Sequence, residues 1–398
     1  MPRHGFFAIL LISAAHAAGG ETTFRDIQPI LRNHCQECHR PGEIGPMPLG
    51  SYAQVRPWAK AIKEAVLAKK MPPWFADPHY GKFANDLSLN SKDIATLVAW
   101  VDGGAHEGNS DAASNPADAG KWPSGWRISK PDAVFELQQP VTIPGSGTLN
   151  YMYFSVPTGF TEDRWVESVE VRPSNRAVVH HAIVLVQSYD SRWGGGFLAG
   201  YAPGAVPQRW KPGQARLIKA GSNLIFQMHY TPSGKPGLDR TQVGMVFARQ
   251  PVTYQIVASQ AVNHSFEIPP GEPDYKVESA SLIDEPAMLV GLRPHMHVRG
   301  KSFEYRAVYP DGSSEILLRV PKYNFNWQPY YYLATPLKLP TGTRIECVAH
   351  FDNSANNAFN PDPKVPVRWG DQSWDEMMIG WFDLAVPVKQ AKLVSSVR

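Results

Sequence analysis

Cysteine, excess charge of one sign and long apolar runs are all scarce in this sequence. Only 3 cysteines occur in 398 residues, which excludes a dense disulfide framework. The 39 basic and 36 acidic residues leave a formal net charge of +3, and no clustered basic surface of the kind that binds nucleic acid is evident. No stretch reaches the ~20 apolar residues that a membrane-spanning helix requires. We therefore expect a globular chain of two or three domains, without a nucleic-acid partner or a stable membrane span.

The first residues have the features of an export signal. An apolar run from Gly5 to Ala15 ends in Ala15-His16-Ala17, the small-x-small pattern of a signal-peptidase site. We predict a signal peptide over residues 1–17 and an exported protein, either periplasmic or secreted. A transmembrane anchor is the alternative, but the run is too short to cross about 30 Å of hydrocarbon.

Apolar spacing indicates helices in the N-terminal quarter of the chain. Apolar residues three and four apart recur from Val55 to Ala65 and from Ile94 to Val101, and Gly103 follows the second run at the place of a C-cap. We predict a small all-α domain over residues 18–105. The apolar period is lost after it, so residues 106–126 are interpreted as a linker.

Short β-branched and aromatic runs follow the linker, separated by proline, glycine and aspartate. With 36 prolines and 32 glycines in the chain, this pattern is typical of β-sandwiches or barrels rather than parallel α/β units. The strand pattern is longer than one sandwich needs, so we predict two, at 127–260 and 261–398. The expected fold class is multidomain, with an all-α domain followed by two all-β sandwich domains.

Cys35-Gln36-Glu37-Cys38-His39 is a C-x-x-C-H motif, the attachment signal of c-type haem. Two thiols form the thioether links to the haem, and the imidazole of His39 becomes the proximal ligand of the iron. We predict covalent haem c at this motif and a cytochrome c-like domain around it. A redox dithiol or half a zinc site are the alternatives, but zinc would need further Cys or His at ligand spacing.

A sixth ligand of the haem iron is expected downstream of the motif. Met71 is favoured because the prolines that follow it hold its loop out of helical geometry. Met47 is the main alternative, and His79 would serve if the iron has no methionine ligand.

His295 and His297 have a spacing that places both imidazoles on one face of a strand. Met377 opens another strand-like run, and a thioether beside two imidazoles favours Cu(I) over zinc. These three residues are therefore a candidate copper site.

His180, His181 and His229 are a second possible site, built from three imidazoles. Adjacent histidines point to opposite faces of a regular strand, so joint ligation would require a bulge or a strand end. Each histidine taken alone is better explained as a surface or hydrogen-bonded core residue, which is the interpretation we keep for His264 and His350.

The order of these segments resembles the copper type II ascorbate-dependent monooxygenases, the family of peptidylglycine α-hydroxylating and dopamine β-monooxygenases. The segments that carry the resemblance are Val179-His180-His181-Ala182, Phe226-Gln227-Met228-His229-Tyr230, Arg293-Pro294-His295-Met296-His297-Val298-Arg299-Gly300-Lys301 and Asp375-Glu376-Met377. The resemblance spans roughly residues 126 to 383.

The resemblance implies two jelly-roll β-sandwiches that hold two copper ions across a solvent-filled cleft. By motif, the ligands of an electron-storage copper would be His180, His181 and His229. The ligands of the copper that binds O₂, and hence the expected catalytic residues, would be His295, His297 and Met377.

Residues around these ligands bear on the substrate. Arg293 matches the arginine that binds the substrate carboxylate in the peptide-amidating enzyme, whereas Ile379 and Trp381 stand where that enzyme has Asn and Tyr. The family relies on several disulfides, but only Cys347 remains here once the haem takes the other two cysteines, so we assign it to core packing.

Together these features predict a haem c–copper monooxygenase that hydroxylates a C–H bond of a small organic substrate with O₂. An external donor, ascorbate or another reductant, would supply electrons to the haem. The alternative is a haem- and copper-containing electron-transfer or copper-binding protein without catalysis. A zinc hydrolase is disfavoured, because zinc-dependent hydrolysis requires neither a methionine ligand such as Met377 nor a haem.

Overall fold

The structure is a computed structural model that describes residues 21–41, 43, 45–108, 125–187, 196–202 and 205–388. The signal peptide predicted over residues 1–17 and residues 109–124 of the predicted linker lie outside this part of the chain. No helix in the described ranges is long and apolar enough to cross a bilayer.

Helices occur in the described chain only before residue 103. Their bounds are α1 Phe24–His34, α2 Tyr52–Val55, a 3-10 turn Arg56–Trp58, α3 Ala59–Leu67 and α4 Ser91–Asp102. The Asn90 side chain caps α4 by accepting the Asp93 N–H at 2.9 Å, and the helix ends at Gly103. The helices pack around a small apolar core that includes the fully buried Leu97 and Trp100.

Strands dominate the described chain from residue 133 onward. Their bounds are β1 Ala133–Glu136, β2 Val141–Ile143, β3 Met152–Pro157, β4 Arg164–Arg172, β5 Val179–Gln187, β6 Phe197–Tyr201, β7 Gln208–Arg209, β8 Gln214–Ile218, β9 Asn223–Tyr230, β10 Gly237–Asp239, β11 Gln242–Phe247, β12 Tyr254–Asn263, β13 Glu267–Ile268, β14 Tyr275–Leu282, β15 Ala287–His295, β16 Gly300–Val308, β17 Ser314–Val320, β18 Tyr331–Leu339, β19 Arg344–Phe351, β20 Val367–Arg368 and β21 Met378–Pro387.

One long sheet runs through both halves of the β structure, in the order β1-β11-β4-β8-β12-β21-β15-β18, with β7 paired to β4. A four-stranded sheet, β3-β9-β5-β6, shares one apolar core with its first half, and β14-β19-β16-β17 shares a second core with its other half. β12 joins the halves, because it pairs in parallel with β8 and in antiparallel with β21. The predicted division at residue 260 lies within β12.

The predicted fold class, an all-α domain followed by two jelly-roll sandwiches, is wrong. The described chain is mostly β-sheet, and its helices have at most 12 residues. Part of the expected all-α region runs as extended chain along β18: Phe83 pairs with Leu333 in a β-bridge, and the Ala84 N–H donates to the Tyr332 carbonyl at 2.8 Å. The helices are thus continuous with the β structure and are not a distinct all-α domain.

Aromatic side chains explain this correction. Trp74 and Phe83 pack edge-on against Tyr331, with ring centroids 4.9 and 5.3 Å apart, and both join the apolar core of the C-terminal half. Both rings belong to the segment that connects α3 to α4, and their burial against the sheet anchors this segment to it. The helical periodicity of the flanking segments could not predict that contact with the sheet.

Candidate metal centre

His180, His181 and His229 meet where β5 and β9 pair. The register of these two antiparallel strands shifts between Val179 and His181, so His180 occupies a bulge. A bulge re-aims side chains, and here it lets two adjacent histidines reach the same side of the sheet. One nitrogen from each of the three imidazoles lies within 4.8 Å of the other two.

The nitrogens of this cluster have the free lone pairs that a metal requires. His181 Nε2 and His229 Nδ1 are buried and have no hydrogen-bond partner among the described residues. His180 Nε2 lies 3.0 Å from Asn326 Oδ1, an atom that can only accept, so Nε2 carries the proton. The His180 Nδ1 lone pair then accepts from His181 Nδ1 at 3.4 Å, a long contact that a bound metal would replace. An unpartnered buried polar atom costs about 1–3 kcal/mol, and coordination of copper or zinc would remove that cost.

Burial keeps these imidazoles neutral. It lowers the pKa of His229 to about 3, and the pKa of His181 falls well below its usual value because burial is reinforced by the neighbouring histidines. The pKa of His180 is lowered by burial as well. Neutral imidazole is the form that binds metal, so the cluster is ready to bind at neutral pH.

His295 and His297 lie at the end of β15, with ring centroids 5.2 Å apart. His295 Nδ1 lies 2.8 Å from Gln328 Oε1, and His297 Nδ1 lies 3.2 Å from the Asp375 carbonyl oxygen. Both oxygens only accept, so each Nδ1 is protonated and each Nε2 keeps its lone pair. Burial lowers the pKa values to about 4 for His295 and about 3 for His297.

Met377, just before β21, lines the same cavity as these two histidines. Its neighbour Glu376 is fully buried and accepts the N–H groups of His297 and Arg299 at 2.8 and 2.6 Å, which ties the Met377 segment to the end of β15. Burial raises the pKa of Glu376 to about 8. Two imidazoles and a thioether are a donor set suited to copper.

A single cavity of about 250 Å³ is bordered by both histidine clusters. Its lining includes His181 from the first cluster and His295, His297 and Met377 from the second. The Tyr151 ring, which also lines it, lies 5.1 Å from His181 and 4.7 Å from His229 between centroids. Four of the six residues that the sequence proposed as copper ligands thus line one cavity, and His180 and His229 lie beside it through their cluster with His181.

The cavity also contains an arginine between aromatic rings. The Arg293 guanidinium lies 3.5 Å from the Phe197 ring centroid and 5.9 Å from that of Trp381. Burial lowers its pKa to about 10, partly offset by the charge of Asp383. Asp383 is itself paired with buried Arg216 at 2.9 Å, so two cations share one carboxylate here.

The C-x-x-C-H motif lies at the end of α1. Cys35 and Cys38 are free thiols, and burial raises the pKa of Cys35 to about 12. His39 is buried, and its Nδ1 donates to the Met47 carbonyl at 3.1 Å, which leaves Nε2 free for a metal. Met71 is 43% exposed, whereas Met47 packs against the helical core. Two free thiols, an imidazole nitrogen and a methionine thioether are a set of groups that suits a covalently attached haem iron.

The alternative ligand His79 is exposed and pairs with Asp77 at 2.6 Å. Three further residues were assigned structural roles from the sequence. His264 packs on Trp369, His350 pairs with Asp274, and Cys347 is a buried free thiol.

Ion pairs hold the C-x-x-C-H motif against the outer wall of the cavity. Glu37, inside the motif, pairs with Arg127 at 2.8 Å, and Arg127 also pairs with buried Glu170 at 3.4 Å. Arg127 donates to the carbonyl of Ala205, a residue of the cavity lining, at 2.7 Å. The motif and the cavity are therefore joined by one arginine.

No family model and no curated protein matches the chain. Among solved structures, it is similar to the major capsid protein P2 from bacteriophage PM2, with 10% identity and a TM-score of 0.28 over 64% of this chain and 97% of that one. It is also similar to PNGase F, a glycosylasparaginase from Flavobacterium meningosepticum, with 12% identity and a TM-score of 0.27 over 63% and 96%. With TM-scores below 0.5, neither likeness carries information about the function of this chain.

Sequence reasoning missed the tyrosines of the cavity. Tyr151, Tyr330 and Tyr332 line it, and the buried hydroxyls of Tyr151 and Tyr332 have no partner among the described residues. The Tyr330-Tyr331-Tyr332 run could have pointed to two of them, because alternate residues of a strand share a face and buried Tyr331 belongs to the core. No local signal identifies Tyr151.

Proposed function

We propose that this protein is a copper-dependent monooxygenase that hydroxylates a C–H bond of a small organic molecule, with electrons entering through covalent haem c. One observation carries the proposal: two imidazole clusters, far apart in sequence, border a single cavity. Copper bound there would supply one-electron transfer and activation of O₂. The reaction consumes two electrons and two protons, places one oxygen atom in the substrate and releases the other as water.

The two clusters suit different tasks. His180, His181 and His229 present three neutral nitrogens, a set that supports both oxidation states of copper. The second cluster replaces one imidazole by the soft thioether of Met377, which favours Cu(I), the state that reacts with O₂.

The cavity lining favours oxygenation over hydrolysis. None of its described residues is an aspartate or glutamate, so no carboxylate is placed to act as the base of a metal-assisted hydrolysis. A hydroxylation that starts by hydrogen abstraction requires no such base.

Arg293 supports a substrate with an acidic group. Its guanidinium faces the cavity between Phe197 and Trp381, and Asp383, the acid whose charge acts on it, is already paired with Arg216. A carboxylate in the cavity would balance the extra positive charge, and the two rings would contact the apolar part of the same molecule.

Metal analysis and oxygen uptake test the proposal on full-length protein matured with c-type haem attachment. We expect one haem and two copper ions per chain, with His295→Ala losing one copper and His229→Ala the other. A panel of small carboxylic acids should include one that stimulates O₂ uptake and gains ¹⁸O from ¹⁸O₂. Copper-loaded protein without such uptake would instead be an electron-transfer protein, and a chain that binds no copper would overturn both assignments.

Met377→Ile refines the test of the second cluster. The two histidines should still give a Cu(II) spectrum, while substrate-dependent O₂ uptake falls at least tenfold because the reduced state has lost its soft ligand. Equal uptake by the variant and the parent would rule out a role for Met377.

A further inference from the structure

The segment Tyr323–Gln328, which we name the 323–328 loop, lies between the two histidine clusters. It connects β17 to β18 in the C-terminal half, yet it contacts residues of both halves. Neither the family resemblance nor the local sequence assigns it a role.

The loop contacts the first cluster through His180. Asn326 Oδ1 accepts the His180 Nε2 proton at 3.0 Å. The Phe325 ring stacks on the same imidazole, with centroids 5.1 Å apart and planes 25° apart. Two neighbouring residues of the loop therefore set both the tautomer and the plane of this ring.

The loop contacts the second cluster in the same manner. Gln328 Oε1 accepts the His295 Nδ1 proton at 2.8 Å, and the edge of the Phe325 ring meets His297 at 5.9 Å between centroids. The Tyr323 hydroxyl accepts the Met296 N–H at 3.0 Å and donates to the Met296 carbonyl at 2.7 Å, which fixes the backbone between the two histidines.

Internal hydrogen bonds keep the loop in shape. The Asn326 N–H donates to Asn324 Oδ1 at 2.9 Å, and the Trp327 N–H donates to the Asn324 carbonyl at 3.0 Å. Gln328 Nε2 donates to the Phe325 carbonyl at 2.8 Å, so the amide oxygen must face His295. The Gln328 amide thus arrives at His295 with a defined orientation, and the backbone hydrogen bonds fix the position of Asn326 in the loop.

We propose that the 323–328 loop positions ligands of both metal clusters at once, with Asn326 acting on His180, Gln328 on His295 and Phe325 on both clusters. The inference rests on the proposed copper sites but not on hydroxylation. Hydrogen-bond partners of metal-bound imidazoles fix the donor nitrogen, and their loss typically weakens metal binding 10- to 100-fold.

Copper binding and electron paramagnetic resonance of holo-protein test the assignment. Asn326→Ala should weaken copper binding about 10- to 100-fold and change the spectrum at the His180 cluster alone, and Gln328→Ala should do so at the His295 cluster alone. Phe325→Ala should alter both spectra. Asn326→Asp, which keeps an acceptor oxygen for His180, should restore copper binding at that cluster. Exposed Lys322→Ala is the matched control.

Metal-free protein provides a readout that does not depend on copper. Histidine-selective ¹⁵N nuclear magnetic resonance should show the Nε2–H tautomer for His180 and the Nδ1–H tautomer for His295, each lost in the corresponding alanine variant. Unchanged tautomers in Asn326→Ala and Gln328→Ala would overturn the inference, whatever the metal content. Correct tautomers in a chain that binds no copper would defeat the proposed function alone.

Discussion

Single nitrogen atoms account for much of the chemistry proposed here. His181 Nε2 and His229 Nδ1 are buried without a partner in the described part of the chain, an arrangement that destabilises the metal-free fold. The sequence predicted these residues as ligands by residue type and by the order of the segments that resemble the copper monooxygenases. It could not show which nitrogen of each imidazole carries the proton, since for the neighbouring His180 that depends on Asn326, 146 positions away.

A substitution at His229 should separate metal binding from folding. We expect His229→Phe to lose the copper of its cluster while the metal-free protein stays within about 1 kcal/mol of the parent, because a buried unpartnered nitrogen is removed. Copper at 100 times its dissociation constant should add about 2.7 kcal/mol to the free energy of unfolding of the parent for that site, a gain that the variant lacks. Thermal melts with and without copper measure both quantities. An equal copper-induced gain in the variant would remove His229 from the ligand set.

Individual strands and helices were predictable where the pattern of apolar residues lies within the element itself. The β-branched run Val178–Val186 coincides with β5, and the apolar spacing of Ile94–Val101 lies inside α4. The bulge at His180 was not predictable, because a register shift is a property of two paired strands. The extended segment around Phe83 was missed for the same reason, since its partner Leu333 lies 250 positions away.

The C-x-x-C-H element at the end of α1 predicts covalent haem. The haem should stay with the chain through acid-acetone extraction, because Cys35 and Cys38 would hold it by thioether bonds. Met71→Ala should abolish the low-spin methionine-ligated spectrum, since exposed Met71 is free to reach an iron whereas Met47 packs in the helical core. Loss of that spectrum in Met47→Ala instead would move the ligand to Met47, and extractable haem would exclude attachment.

At the scale of the whole molecule, the C-x-x-C-H motif, where haem is proposed, is held against the cavity wall by charge. Glu37→Gln removes one ion pair of Arg127 and leaves the buried pair with Glu170 in place. We expect ferrous haem to reduce Cu(II) at the His180 cluster at a rate independent of protein concentration. Glu37→Gln should slow this step several-fold and reduce its dependence on salt, because the remaining docking contacts are weaker. Stopped-flow mixing measures the rate.

The control for this measurement is Glu162→Gln, which removes an exposed acid paired with Arg164 on β4. It should leave the rate unchanged. A rate that rises with protein concentration would show transfer between molecules, and equal rates in Glu37→Gln and the parent would show that the ion pair does not matter.

The seam between the two β halves has a thermodynamic consequence. β8 and β12 pair across it, and beside them Arg216 and Asp383 form an ion pair that is 8% and 5% exposed. Melting one half alone would strip a buried charge of its partner, at a cost of about 3–5 kcal/mol. Differential scanning calorimetry should therefore record both β cores in one cooperative transition, and Asp383→Asn should split it into two. The distance between the two histidine clusters is then a property of the folded state as a whole, lost only when the entire β structure melts.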